Sequence, residues 1–292
     1  MIDYDCGGFI MKNYHSKETM HFKHITLKVK NIDRSLAFYH DILKLYILEK
    51  TDNTAILSAN EVDPLIYLFA DQNAQQNHTL GLYHYAILLS SRSQLAHVIK
   101  RLVDAKYPLT GASDHGVSEA LYLDDPDGNG IELYADRDES VWPIKNDAID
   151  MYTIAMDVQG VLSELPQTPY VEFDKKAVMG HLHFHVPDLA LSRDFYCDAL
   201  GFQPILSYGG SALFLSDNGY HHHLGTNIWN RNKTLRKDGD VGLIGYTLYV
   251  PAEKTKYITD KLKNLSIPFK EKDSHIEFVD PLDQKVVISS VL

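Results

Sequence analysis

Residues 24–45 read HITLKVKNIDRSLAFYHDILKL, a short strand pattern followed by a helical one. Ile25, Leu27 and Val29 alternate with polar residues, as on a strand with one buried face. An Asn turn follows, and then apolar residues recur at helical spacing. Residues 181–202, HLHFHVPDLALSRDFYCDALGF, repeat the plan without a gap. His24 falls on His181, Val29 on Val186, Ser35 on Ser192, Phe38-Tyr39 on Phe195-Tyr196 and Leu43 on Leu200. After each helix come short apolar runs that read as strands: TAILSA and LIYLFA in the first copy, SALFLS and HHHLGTNIW in the second.

A second pair of repeats lies between and after these. GLYHYAILLSSRSQLAHVIKRLVDAKYPL (81–109) resembles GLIGYTLYVPAEKTKYITDKLKNLSIPF (242–269). Both run on into hairpins, EALYLDDPDGNGIELY and HIEFVDPLDQKVVISS. The chain is therefore four β-α-β-β-β units, an α+β protein. One helix and four strands cannot cover both faces of their sheet, so the units must pair. Two pairs predict two curved, half-open barrels, each around a cavity lined by inward strand residues. Residues 1–20 read as a tail, 21–138 as a first domain (units one and two), 139–178 as a linker with a strand in MYTIAMDV, and 179–292 as a second domain (units three and four).

Composition narrows the function. In 292 residues, 45% are hydrophobic and the net charge is −11. That is enough for packed cores and argues against a nucleic-acid partner, which would want a basic face. No apolar run approaches the roughly 20 residues of a membrane span, and the N-terminus is no signal peptide. Two cysteines, Cys6 and Cys197, make no disulfide framework, so a cytoplasmic protein is expected.

The candidate chemistry lies in unit two. Glu132 sits between Ile131 and Leu133 in a last strand, and His84 lies in the first strand. In unit four the corresponding residues are Val287 and Gly245, so the scaffold itself needs neither group. A buried carboxylate is normally paired or bound to metal. Two His and one carboxylate form a facial triad with open positions, suited to non-haem Fe(II). His24 and His181, at equivalent places, are both candidates for the third ligand. His181, His183 and His185 share one strand face, and His185 is expected to be partly wet at the strand end. In YHHHLG, His222 faces opposite to His221 and His223, and a His beside a metal site is a usual acid/base.

These residues resemble the vicinal oxygen chelate superfamily, over residues 21–138 and 179–290. HGVSEALYLDDPDGNGIE resembles the signature of its extradiol ring-cleaving dioxygenases, filled by His115, Leu121-Tyr122, Asp125-Pro126, Gly128 and Glu132. Ser113 departs from that pattern. The resemblance puts the metal ligands on His181, His84 and Glu132, the acid/base on His222, and hydrogen bonding to substrate on His115 and Tyr122. It implies a two-repeat catechol 2,3-dioxygenase with Fe(II), or Mn(II), acting on a small aromatic diol and O2, in a chain that could form a homo-oligomer. Unit four lacks its two ligands, so the set is complete only if unit two pairs with unit three. If unit two pairs with unit one, His24 takes the third place and no acid/base His is supplied. A glyoxalase-like isomerase or lyase and a non-catalytic ligand-sequestering protein are the other expectations for this scaffold.

Overall fold

The computed structural model describes residues 13–167, 171–272 and 275–291. Cys6 and most of the expected tail lie outside them. Unit one holds β1 (His21–Val29), α1 (Ile32–Leu36), β2 (Tyr46–Lys50), β3 (Thr54–Ser58) and β4 (Pro64–Ala70). Unit two holds β5 (Gly81–Leu89), α2 (Arg92–Asp104), β6 (Gly111–Asp114), β7 (Ser118–Asp124) and β8 (Gly130–Asp136). The connection carries β9 (Ile144–Lys145), β10 (Ala148–Ile149), β11 (Ile154–Ala155) and α3 (Val158–Leu162). Unit three holds β12 (Val178–His185), α4 (Leu189–Ser192), β13 (Gln203–Tyr208), β14 (Ala212–Ser216) and β15 (Leu224–Asn227). Unit four holds β16 (Gly242–Tyr249), α5 (Ala252–Asn264), β17 (Phe269–Lys272), β18 (His275–Val279) and β19 (Lys285–Ser289).

Polar side chains start four of these helices, among them the helices of units one, two and three. Asn31, Ser91 and Asp188 accept from the backbone N–H of Arg34, Gln94 and Ala190, satisfying donors that a first turn leaves open. In units one and three the helix continues as a wide π-turn, Ala37–Ile42 and Arg193–Cys197. The expected strand in MYTIAMDV is reduced to Ile154–Ala155, which pairs with Asp114 and Ser113 at the edge of β6.

The strands form two large curled sheets. One runs β17-β18-β19-β16-β1-β4-β3-β2, the other β11-β6-β7-β8-β5-β12-β15-β14-β13. Unit one thus pairs with unit four, and unit two with unit three. The division into consecutive halves, 21–138 and 179–292, does not follow the sheets, because each sheet takes one unit from each half. The seams are antiparallel pairings of first strands: β1 with β16, and β5 with β12. One apolar core is shared, from Phe22 and Ile25 in unit one to Val286 and Ile288 in unit four. The segment just before β1 is also packed: His15 Nε2 lies 2.9 Å from Gly180 O, and Tyr14 stacks on Trp142.

Two buried triads tie neighbouring units together across the sheets. Tyr39 on the first π-turn donates to Asp125 at 2.8 Å and meets the Tyr85 hydroxyl at 2.8 Å. Asp125 also accepts the N–H groups of Asp127 and Asn129, which shapes the β7–β8 turn. The same arrangement recurs in the other half. Tyr196 and Tyr246 donate to Asp280 at 3.2 and 3.1 Å, and Asp280 accepts from Leu282 and Gln284.

Burial pushes the Asp280 carboxyl up from 3.8 to about 6, against the hydrogen bonds from Gln284 and Leu282 and from the two tyrosines. The folded state therefore holds this proton more tightly than the unfolded chain. That contribution to stability is fully present below the unfolded value and is lost as pH rises through about 6. Asp280→Asn should remove it. Denaturant titrations of both proteins should show the stability difference moving in the variant's favour by about 2 kcal/mol between pH 4 and pH 7; an unchanged difference would refute the shift.

Candidate active site

The β5–β12 seam brings three predicted residues to one point. Glu132 on β8 stands opposite Ala86 of β5, and His84 one pleat away stands opposite Gly130. His181 enters from β12 on the other side of β5, also opposite Ala86. Glu132 Oε2 lies 3.0 Å from His84 Nε2 and 3.2 Å from His181 Nε2. The two Nε2 atoms are 3.4 Å apart. The exposures of His84, Glu132 and His181 are 6%, 3% and 1%.

Burial alone would raise the carboxyl pKa, but His181 and then His84 outweigh it and hold Glu132 well below the usual carboxylate range. Burial in turn pushes His181 below the ordinary imidazole value, against the pull of Glu132. A carboxylate buried between two imidazoles calls for a cation, and such donors are what a metal ion requires. Donor separations of 3.0–3.4 Å suit neighbouring ligands on an ion with bonds of about 2.1 Å. The residues present therefore fit a divalent metal. His181 Nδ1 is buried and finds no hydrogen-bond partner among the described residues.

His84 and Glu132 line a cavity of about 440 Å³. His222 lines it, its ring centroid 4.1 Å from that of His181. Burial and the imidazoles around it push His222 well below the ordinary value, leaving it neutral. His115 and Tyr122 line the cavity as well. Tyr122 is paired with Glu132 in the β7–β8 ladder, and its hydroxyl meets His115 Nε2 at 2.7 Å. His115 Nδ1 is 3.0 Å from Tyr152 O, which can only accept, so Nδ1 carries the hydrogen and Nε2 accepts from Tyr122. Burial raises the Tyr122 phenol well above 10.0, and Glu132 adds to it.

The sequence and fold have known counterparts. The profile of the Glyoxalase/Bleomycin resistance protein/Dioxygenase superfamily matches residues 21–133 and 178–241. The chain belongs to that superfamily. It is 38% identical over 272 residues to a catechol-2,3-dioxygenase of Bacillus subtilis (strain 168), covering 91% of this chain and 95% of the relative. By that likeness it is a catechol-2,3-dioxygenase-like enzyme. Two solved structures share its fold. Glyoxalase I from Zea mays superposes with a TM-score of 0.56 at 17% identity, covering 92% of each chain. The cppA protein of Streptococcus pneumoniae TIGR4 does so with a TM-score of 0.56 at 11% identity, covering 93% of this chain and all of that one.

Within this superfamily fold, the other sheet carries a second cavity at the equivalent place. His24 lies there beside Tyr67, with Gly245 and Val287 where the first sheet has His84 and Glu132. His24 is thus placed apart from His84 and Glu132, and His181 is placed with them. His185 departs from expectation. It is 7% exposed, covered by the Tyr83 ring, and its Nδ1 meets Asn227 Oδ1 at 2.7 Å. His183 is buried as well and receives the Asn227 amide at 3.0 Å. Asn227 therefore serves two histidines, and neither joins the cluster of three. Sequence reading also missed the residues that the connection supplies to the cavity wall, Met151, Tyr152 and Thr153. They open the MYTIAMDV stretch, which reads as a linker strand, and none of the three is a metal-ligating residue type.

Gly180 sits directly before His181 on β12. A Cβ there would fall 2.6 and 2.7 Å from ring atoms of Tyr134, which is fully buried. Gly180→Ala should therefore destabilise the protein by about 1–3 kcal/mol through overpacking. The denaturant midpoint should fall accordingly, and a wild-type midpoint would show that Tyr134 moves freely.

Proposed function

We propose that this protein is an extradiol ring-cleaving dioxygenase acting on catechol or a substituted catechol with O2. The observation that carries the reading is a buried His84–Glu132–His181 cluster, of which His84 and Glu132 line the same cavity as His222. In this reading His84, Glu132 and His181 hold Fe(II). When bound, Fe(II) supplies the redox chemistry that lets O2 react with a catechol. The protein's own groups handle the substrate. His222 takes a proton from a catechol hydroxyl and later returns one. Tyr122, oriented by its hydrogen bond to His115, offers its phenol oxygen to the bound substrate. Tyr83, Phe214 and Trp229 give the ring an aromatic surround. Among the described residues no fourth His, Cys, Asp or Glu joins the three donors, which favours this reading over a metal-dependent isomerase with a fuller ligand set. A chain with two cysteines and net charge −11 suits a cytoplasmic enzyme.

Anaerobic loading with Fe(II), followed by catechol and oxygen, should give O2 uptake and a yellow ring-opened product. Glu132→Ala and His181→Ala should lose both bound iron and uptake, while His24→Ala keeps them. His222→Gln should keep its iron and lose about 10²–10⁴-fold in kcat. Tight iron binding with no uptake on any catechol would sink the proposal.

The cavity wall also bears on the substrate's charge. Among the described residues no Lys or Arg lines it, and Asp124 does. A carboxylate on the ring would meet no cationic side chain, and the like charge of Asp124 beyond the metal-holding Glu132. Neutral alkyl-substituted catechols should surpass 3,4-dihydroxyphenylacetate by about tenfold or more in kcat/KM, a difference of about 1.4 kcal/mol in transition-state binding. Asp124→Asn should narrow the gap.

A further inference from the structure

A line of hydrogen bonds reaches His222 from outside the cavity. Asp136 ends β8, and its Oδ1 lies 2.8 Å from His221 Nε2. His221 Nδ1 lies 2.8 Å from His222 Nδ1. An ionised carboxylate has no proton to give, so His221 Nε2 carries the hydrogen. The other nitrogen of a neutral imidazole is then a bare acceptor. With that single hydrogen on His221, the hydrogen between the two rings belongs to His222 Nδ1. That leaves His222 Nε2 as a lone pair on a ring that lines the cavity.

The line is held rigidly. His221 is fully buried, its ring 3.9 Å from that of Tyr220 and 5.3 Å from that of Trp142. Tyr220 donates to the second Asp136 oxygen at 2.8 Å and meets the Tyr134 hydroxyl at 2.9 Å. Asp136 belongs to unit two and both histidines to unit three, so the line crosses the β5–β12 seam.

We propose that Asp136 and His221 are positioning residues that fix His222 as its Nδ1–H tautomer and keep Nε2 free to accept the hydroxyl proton of a bound catechol. In that transfer the O–H bond breaks, its electron pair stays on oxygen, and an N–H bond forms at Nε2. The charge gained by His222 is stabilised through Nδ1–H and His221 by Asp136. The catalytic consequence rests on the dioxygenase reading; the tautomer does not.

Two measurements test it. In ¹⁵N-histidine protein loaded with diamagnetic Zn(II), the His222 nitrogens, assigned with His222→Gln, should show hydrogen on Nδ1 and a bare Nε2. Hydrogen on Nε2 overturns the proposal, whatever the protein's activity. The second measurement separates hydrogen bonding from packing. His221→Phe keeps the aromatic stack on Tyr220 and removes the acceptor. His221→Asn loses the stack and restores an oxygen acceptor near the Nδ1 position. With equal Fe(II) content, kcat should fall about 10²-fold in the Phe variant with KM within about threefold, and recover in the Asn variant. An active Phe variant overturns the proposal, as does a Phe variant that loses activity through KM alone. If no catechol is cleaved by wild type, the dioxygenase reading fails and the nitrogen spectrum still decides the tautomer.

Discussion

The antiparallel pairing of β5 with β12 is the constraint on which the site depends. Neither unit two nor unit three holds a complete donor set. Unit two has His84 and Glu132 on adjacent strands, and unit three has His181 and His222. Only the seam sets His181 opposite Ala86, within reach of a carboxylate that faces the same way from β8. The register also breaks between Met179 and His181 and again between His183 and Phe184. Such irregularities re-aim side chains beside functional sites, and here they flank the stretch where the imidazoles converge.

Much of this was legible before the structure. The repeat could be read because strand alternation and helical spacing recur at matched positions, and its period sets the four-unit plan. Glu132 and His84 could be singled out because unit four keeps the strands and replaces both residues with Val287 and Gly245. The order of pairing was not readable from periodicity, since all four first strands carry a similar apolar face. It became an inference only through the chemistry, because one arrangement supplies four useful groups and the other three. The Asp136–His221 contact left no trace, since it joins the end of one strand to a loop in a different unit. The tyrosine triads were hidden for another reason: Tyr39, Tyr85, Tyr196 and Tyr246 look like ordinary core aromatics, and their hydroxyl partners Asp125 and Asp280 look like turn residues.

The triads explain how the molecule tolerates sheets that cross its two sequence halves. Units one and two lie in different sheets, yet Tyr39 reaches from one to the Asp125 turn of the other. Units three and four are joined likewise through Tyr196 and Asp280. The turn that each aspartate shapes leads directly into the last strand of its unit. In unit two that strand carries Glu132, so the link that joins the units also sets the start of the strand that bears the carboxylate.

The two sheets solve one packing problem in opposite ways, and the choice decides which has an active site. The first and last strands of a unit run parallel, and at one crossing there is room for a single side chain. In unit two, His84 stands opposite Gly130, whose Cβ would lie 3.2 Å from that of His84. In unit four the glycine is on the other strand: Gly245 stands opposite Lys285, and a Cβ at 245 would lie 2.7 Å from Lys285 O. A histidine cannot simply be returned to position 245 without moving the neighbouring backbone. The absence of a histidine from position 245 is therefore built into the backbone spacing of the second sheet. The glycine at 130 is as much a condition of the active site as the histidine it faces.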